Sequence, residues 1–350
     1  MNGRKAFLAT TGNGLARAAI NGNNRWVVEF LLDDQDVRCL AADPLNTATV
    51  YAGTQGNGVM RSDDHGQSWQ QAGLAGVIVK SLTVSKSEPG TVYAGTKSPP
   101  TIFVSRDKGA NWTELESFRK TERWYWFSPA EPPFSAYVQA IALSPVDPDV
   151  IVAGIEAGAV LRSADGGKTW TGHRKGAIRD CHSLGFHNSS GNWIYEAGGG
   201  GAAVSRDAGQ TWQQPRKGLD RRYGWAFAAD PARPEVWYAS LSKSFSFPSF
   251  VPAAHIDGQA NACIFRSSGG APWEKLGGGL PQPLERSPVE VVAGRILLQD
   301  LLLPMPRRAR RLLVEQHREI AQQIGEVVGI GAPVHPGHGI VDPGRDRRVH

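Results

Sequence analysis

Residues 162–170 read RSADGGKTW, and this stretch decides the fold because close copies of it recur along the chain. The copies read RSDDHGQSW at 61–69, VSRDKGANW at 104–112 and VSRDAGQTW at 204–212, while RSSGGAPW at 266–273 lacks the Asp. In the shared pattern S-x-D-x-G-x-x-W, the Asp carboxylate can accept backbone N–H groups across a tight turn, and the Gly can take a positive φ. The pattern therefore predicts a repeated hairpin turn with a structural role.

Three further segments precede each turn, and together they define one repeat unit. They are an apolar segment, a VYAG-type segment and a V-x-R-S segment, the last two seen most clearly in VYAGTQGNGVMRS at 50–62. Strands this short and regular, with no helix pattern between them, predict an all-β fold, a β-propeller of four-stranded blades. We expect a six-bladed or an incomplete seven-bladed ring. Residues 7–26 fit a worn copy without its first strand, which PVEVVAG at 288–294 would supply.

The repeat pattern ends near residue 290, so we divide the chain into a β-propeller at 1–290 and an atypical basic tail at 291–350. No aromatic residue follows Trp273. Residues 307–328 have helical apolar spacing, and the last stretch is rich in Pro, Gly and Arg, which predicts a partly helical and then disordered tail. Two interpretations stay open, a partner-binding helix with a basic extension and a displaced final blade.

Two repeats carry insertions, at residues 117–134 and 241–262. The first insertion contains four consecutive aromatic residues at 124–127. Exposed aromatic side chains on a loop often stack on a sugar or a peptide, but large aromatic side chains are more commonly buried. We therefore expect these side chains to pack on their own blade.

The repeated turn resembles the BNR or Asp-box repeat of sialidases, xyloglucanase-type glycosidases, sortilin-type receptors and photosystem-assembly propellers. The resemblance covers residues 5–285 and implies a β-propeller whose Asp boxes are structural and lie away from the ligand face. The FRIP-like segment that the sialidase pattern calls for is missing from this sequence. Xyloglucanase-type enzymes resemble two propellers that form a cleft, whereas this chain encodes at most one. The resemblance therefore implies no catalytic residue at any particular position.

Composition and motif content argue against several classes of protein. The formal net charge is +5 with scattered Lys and Arg, which argues against nucleic acid as a partner. Cys39, Cys181 and Cys263 lie far apart, which predicts free thiols and a cytoplasmic protein. The sequence contains no long apolar run, so we predict no membrane segment. His182 and His187 fall on opposite faces of a strand, and no Walker, H-E-x-x-H or paired C-x-x-C motif occurs. We therefore predict neither a metal nor a cofactor.

Aligning the first strand of each repeat reveals a variable polar position at the expected mouth of the central channel. Ligands of propellers generally bind at that mouth, where recognition needs polar and aromatic variety. One aligned position holds Arg38, Lys80, Gln139, His182 and Trp225. The position two residues earlier holds Asp36, Ile78, Tyr137, Asp180 and Tyr223. The predicted ligand-binding residues are Arg38, Lys80, Tyr137, Gln139, His182, Tyr223 and Trp225. Positive charge from Arg179, Arg221 and Arg222 would favour an anionic or hydroxyl-rich ligand.

Acidic residues near the same positions keep catalysis open as an alternative. Asp36 and Asp180 occupy equivalent loops on non-adjacent blades, and Glu156 and Glu196 stand in or after VYAG-type strands where small residues are usual. Glycosidases use two carboxyl groups across the scissile bond, so Asp36, Asp180 and Glu196 are the candidate catalytic residues. The first interpretation is a scaffold that binds a carbohydrate, an anionic ligand or a protein partner. The alternatives are a glycoside hydrolase and an assembly or stability factor.

Overall fold

The computed structural model describes residues 6–277 except 12, 24, 124–125, 129–131 and 245–259, together with the backbone of 290–292 and 295–297. These residues form six antiparallel sheets of three or four strands and one short helix. The predicted all-β propeller is confirmed. The proposed tail helix at 307–328 lies outside the described residues, and the boundary at 290 stays a prediction.

The first three sheets follow one another along the chain, and each is a simple antiparallel meander. The first sheet contains β1 (Ala6–Thr10), β2 (Leu15–Ile20) and β3 (Trp26–Leu31). The second contains β4 (Val37–Ala42), β5 (Val50–Thr54), β6 (Val59–Ser62) and β7 (Gln70–Gln71). The third contains β8 (Ile78–Val84), β9 (Val92–Lys97), β10 (Ile102–Ser105) and β11 (Thr113–Glu114), and α1 (Glu116–Arg119) follows it.

The remaining three sheets repeat this plan, with the fourth strand reduced to single bridges at Thr171 and Gln213 in two of them. The fourth sheet contains β12 (Val138–Leu143), β13 (Ile151–Ile155) and β14 (Val160–Ser163). The fifth contains β15 (Cys181–His187), β16 (Ser190–Gly198) and β17 (Gly201–Ser205). The sixth contains β18 (Tyr223–Ala229), β19 (Val236–Ser242), β20 (Cys263–Ser268) and β21 (Glu274–Lys275).

The predicted completion of the first sheet by residues 288–294 is wrong for the described backbone. There β22 (Glu290–Val292) pairs with β23 (Arg295–Leu297) as a separate hairpin. This hairpin lies against β18 and β19 of the sixth sheet, while β1 remains an edge strand of its own sheet. An apolar alternating segment can pair with any strand within its reach, and the repeat pattern does not specify that strand.

The VYAG-type strands are buried on both faces because each sheet packs between two others. Every residue of β5, β9 and β13 is buried. The Gly of this motif is required by close approach of the next sheet, since a Cβ on Gly53 would lie 2.6 Å from Val79 Cγ1. In the same way, a Cβ on Gly95 would lie 2.7 Å from Val138. The sheets therefore stack face to face through their second strands.

The S-x-D-x-G-x-x-W turns have the structural role that the sequence predicts. Asp165 Oδ1 accepts the backbone N–H of Thr169 at 2.9 Å, and Ser163 Oγ accepts the N–H of Gly167, whose φ is 85°. Hydrogen bonds from Thr169 and Ser163 lower the pKa of Asp165 to about 2. The carboxylate is thus committed to holding the turn together.

Candidate functional site

A β-bulge interrupts the first strand of five of the sheets, and it falls on the aligned polar position. In the fifth sheet the pairing passes from Cys181 to Ser183 and leaves His182 as the extra residue. The extra residues of the five bulges are Arg38, Lys80, Gln139, His182 and Trp225. A bulge re-aims a side chain and is common beside functional sites. The variable position is therefore a repeated structural device as well as a sequence pattern.

The first strands of these sheets lie side by side, β4 on β8, β8 on β12, β12 on β15 and β15 on β18. This packing brings most of the predicted ligand-binding side chains into one contact network. Lys80 Nζ lies 4.5 Å from the centre of the Tyr137 ring, and Gln139 Nε2 donates to the backbone oxygen of His182 at 3.2 Å. The His182 ring stacks on Trp225 at 4.8 Å. We call this group and its neighbours the hub cluster, which comprises Lys80, Lys97, Tyr137, Gln139, Glu156, Asp180, His182, Tyr223 and Trp225.

His182 is the centre of the hub cluster. Its Nδ1 lies 2.7 Å from the carbonyl oxygen of Gly224, which accepts only, so Nδ1 carries a proton and donates. Its Nε2 faces two carboxylates, at 3.5 Å from Asp180 Oδ1 and 3.7 Å from Glu156 Oε2. Because the side chain is only 3% exposed, a lone pair on Nε2 would face both negative groups in a poorly hydrated place. The arrangement favours a proton on Nε2.

The pKa values follow from this geometry. Burial raises the pKa of Glu156 to about 7, against the attraction of His182. Burial by itself would lower the pKa of His182, but the hydrogen bond to Asp180 and the charge of Glu156 raise it overall. Near neutral pH Glu156 is thus close to its midpoint, and the neighbouring carboxylates favour the protonated form of the His182 imidazole. Glu156 and His182 each perturb the pKa of the other, so these two groups titrate together.

Glu156, Asp180 and His182 also form a set of donors that a divalent cation can use. One ligand atom from each lies within 4.8 Å of the others. Two carboxylate oxygens and an imidazole nitrogen suit several transition metals. However, the ammonium groups of Lys80 and Lys97 both act electrostatically on Glu156, and their positive charge opposes binding of a divalent cation. The predicted absence of a metal stays a prediction.

The sequence singles out Glu156 as unusual for a VYAG-type strand, but the second strands were not aligned with one another, so Lys97 at the equivalent position was missed. Gln55, Lys97 and Glu156 each stand directly after the same point of the VYAG-type repeat. In the fifth sheet the equivalent residue is Gly199, where a Cβ would lie 2.0 Å from Asp180 Oδ2. The Asp180 carboxylate therefore occupies the space that the other sheets fill with a side chain.

Asp36 and Arg38 form their own ion pair, 2.7 Å apart, at the bulge of β4 in the second sheet. Asp180 precedes β15 in the fifth sheet, and the carboxylate beside it is Glu156. The roles predicted for Asp36 and Arg38 stay predictions. The short carboxylate pair of the described hub cluster is Glu156 with Asp180.

Glu196 is fully buried, and one of its oxygens accepts the backbone N–H of Ile178 at 2.8 Å. Burial raises the pKa of Glu196 to about 8, so it is largely protonated at neutral pH. In this arrangement the side chain has no exposed surface. The catalytic role predicted for Glu196 stays a prediction.

The expected contribution of Arg221 to a positive channel mouth is wrong. Its guanidinium is buried and donates to the backbone oxygen of Asn261 at 2.6 Å and to the Asn261 side chain at 2.7 Å. It also pairs with Asp220. The cations of the hub cluster are instead Lys80 and Lys97, of which Lys97 is almost fully buried.

The comparisons with known proteins agree on the fold. No protein-family model matches the chain. An oligoxyloglucan-reducing end-specific xyloglucanase from Emericella nidulans is 34% identical over 79 residues, which is 21% of this chain and 10% of that protein. A solved GH74 xyloglucanase from Xanthomonas campestris matches 78% of this chain and 44% of its own, at 18% identity and a TM-score of 0.57.

Two further GH74 structures give the same picture. An ancestral GH74 enzyme matches 71% of this chain and 32% of its own, at 20% identity and a TM-score of 0.55. The GH74 enzyme of Niastella koreensis matches 77% and 44%, at 17% identity and a TM-score of 0.53. The chain thus spans less than half the length of these relatives. Among the described residues, no helix is long and apolar enough to cross a membrane.

Proposed function

We propose that this protein is a glycoside hydrolase that cleaves a glycan bound over the hub cluster, with Glu156 as general acid and Asp180 as the partner carboxylate. The observation that carries the proposal is the pair of carboxyl groups facing one imidazole, with unequal burial. The Glu156 side chain is 12% exposed, whereas that of Asp180 is 36% exposed.

Glycosidic cleavage needs one carboxyl group that donates a proton and a second that is ionised. Burial keeps Glu156 protonated to higher pH than an ordinary glutamate, since its pKa is about 7. One oxygen of each carboxyl group lies within 4.8 Å of the other, so both groups can contact one bound sugar residue.

The rest of the hub cluster suits a sugar ligand. Trp225 provides a partly exposed aromatic ring, on which the apolar face of a pyranose can stack, and the buried Tyr223 ring supports it from the side. Lys80 and Gln139 add polar groups that can orient hydroxyls. The local identity with a xyloglucanase and the GH74 fold matches support a carbohydrate as the substrate. A β-linked glucan backbone is the first substrate to test.

The experiment measures release of reducing ends from xyloglucan oligosaccharides and of nitrophenol from a panel of aryl glycosides. Wild type is compared with Glu156→Gln and Asp180→Asn. The matched control is Asp147→Asn, which makes the same chemical change at an exposed turn. We expect turnover in wild type and the control, and a loss of at least about a hundredfold in both site variants. Equal turnover in all four proteins would refute the assignment.

A binding scaffold at the same cluster is the second candidate, and the stacked His182 and Trp225 rings favour it. In that case an oligosaccharide raises the melting temperature of the wild type while no product forms. Trp225→Ala would then abolish the rise. The two candidates are separated by whether product accumulates at saturating ligand.

A further inference from the structure

A cavity lies at the first insertion, and none of its lining residues belongs to the hub cluster. The insertion begins after β11 and folds onto the fourth sheet, where Phe118 packs edge-on against Trp170 at 4.9 Å. Trp126 is 8% exposed, and its backbone N–H donates to the carbonyl oxygen of Arg123 at 2.9 Å. Trp126 is thus buried as expected, whereas the expectation is wrong for Phe127, which is 53% exposed, and residues 124–125 lie outside the described residues. Trp126 also closes one side of the cavity against β14.

The cavity has a volume of about 70 Å³ and is lined by Thr121, Arg123, Trp126, Leu161, Trp170 and His173 among others. A cavity needs a volume of about 10–15 Å³ to hold one water molecule, so this cavity has room for a small organic ion. Two indole rings and a leucine form its apolar walls. None of its lining residues is acidic.

The indole N–H of Trp126 is the observation that points to a ligand. Its Nε1 is buried, and no hydrogen-bond acceptor meets it in the described part of the chain. The ring is held in place, because a Cβ on Gly158 would lie 3.3 Å from Trp126 Cγ. A buried donor of this kind costs free energy unless an acceptor completes it.

Two neighbouring groups are donors as well. His173 Nδ1 accepts the backbone N–H of Val160 at 3.1 Å, which in a neutral imidazole leaves the proton on Nε2. Burial, and then the charge of Arg179, lower the pKa of His173 to about 4, so the ring is neutral at neutral pH. The Arg123 guanidinium adds a permanent positive charge. The Thr121 hydroxyl proton is already used, since it donates to the carbonyl oxygen of Phe118 at 2.7 Å.

We propose that this cavity binds a small carboxylate, whose oxygens accept from the Trp126 indole and the Arg123 guanidinium. A carboxylate accepts hydrogen bonds only, which matches a cavity that offers donors, and its charge is opposite to that of Arg123. The site is independent of the hub cluster and of the reaction proposed there.

The experiment follows the indole N–H signals in a ¹⁵N-correlated NMR spectrum of the whole protein, which contains 11 Trp residues. The Trp126 signal is the one missing from Trp126→Phe, and the other indole signals report whether that variant is folded. Sodium acetate is the probe and sodium chloride at equal ionic strength is the control. We expect acetate alone to shift the Trp126 signal in a saturable way.

Arg123→Gln removes the charge at an exposed side chain and should weaken acetate binding about tenfold without unfolding the protein. Calorimetric titration of acetate into wild type and Arg123→Gln gives the same comparison if Trp126→Phe does not fold. The proposal is overturned if acetate leaves the Trp126 signal in place, if chloride shifts it equally, or if Arg123→Gln binds acetate as wild type does.

Discussion

Replacing Glu156 by Gln tests the charge state of the hub cluster through the stability of the fold. Burial raises the pKa of Glu156 from its ordinary 4.5 to about 7. As pH rises, the unfolded chain releases this proton earlier than the folded protein does. The stabilisation is therefore complete below pH 4.5 and is lost progressively as pH approaches 7. At about 1.4 kcal/mol for each pH unit, wild type should lose roughly 3 kcal/mol of unfolding free energy that Glu156→Gln keeps.

The assay is urea unfolding followed by tryptophan fluorescence, with wild type and variant measured side by side from about pH 5 to about pH 8. The difference between their unfolding free energies should shift in favour of Glu156→Gln across this range and then level off. Glu122→Gln, at an exposed position of the insertion, is the control and should stay parallel to wild type. Parallel curves for wild type and Glu156→Gln would contradict the raised pKa of Glu156.

Four further predictions concern the cluster and the repeat. If Glu156 is the general acid, turnover should fall as pH rises above about 7, and a pH–rate profile checks this. If a proton rather than a metal lies between the carboxylates and His182, prolonged dialysis against EDTA should leave turnover unchanged, and added zinc should not raise it. Gly199→Ala places a Cβ 2.0 Å from Asp180 Oδ2, so it should reduce turnover strongly while changing the melting temperature little. Asp165→Asn should speed hydrogen exchange of the backbone N–H groups in its hairpin and leave turnover intact.

Much of the fold could be predicted from the sequence because the same turn motif recurs along the chain. The S-x-D-x-G-x-x-W turns are local, since Ser163, Asp165 and Thr169 make their hydrogen bonds within a few residues. A local turn of this kind can be predicted from the residue types at its positions alone. The partner of an edge strand is a long-range choice, which explains why residues 288–294 were assigned to the wrong sheet.

The candidate site could be predicted only in part from the sequence, for a related reason. Aligning the first strands found His182 and Trp225, because the bulge falls at the same place in each repeat. Glu156 and Lys97 reach the cluster from the ends of second strands, where the shared feature is position and not residue type. Arg221 was misplaced because a sequence cannot show that Asn261, forty residues away, binds its guanidinium.

The bulges have a consequence for how such a protein can change. A residue at a bulge takes no part in the ladder pairing, so its identity is uncoupled from the hydrogen bonds that hold its sheet together. The side chains at the five bulges can thus be exchanged without loss of the ladder hydrogen bonds. A combinatorial library at these positions alone should retain folded members at high frequency while its members diverge in what they recognise.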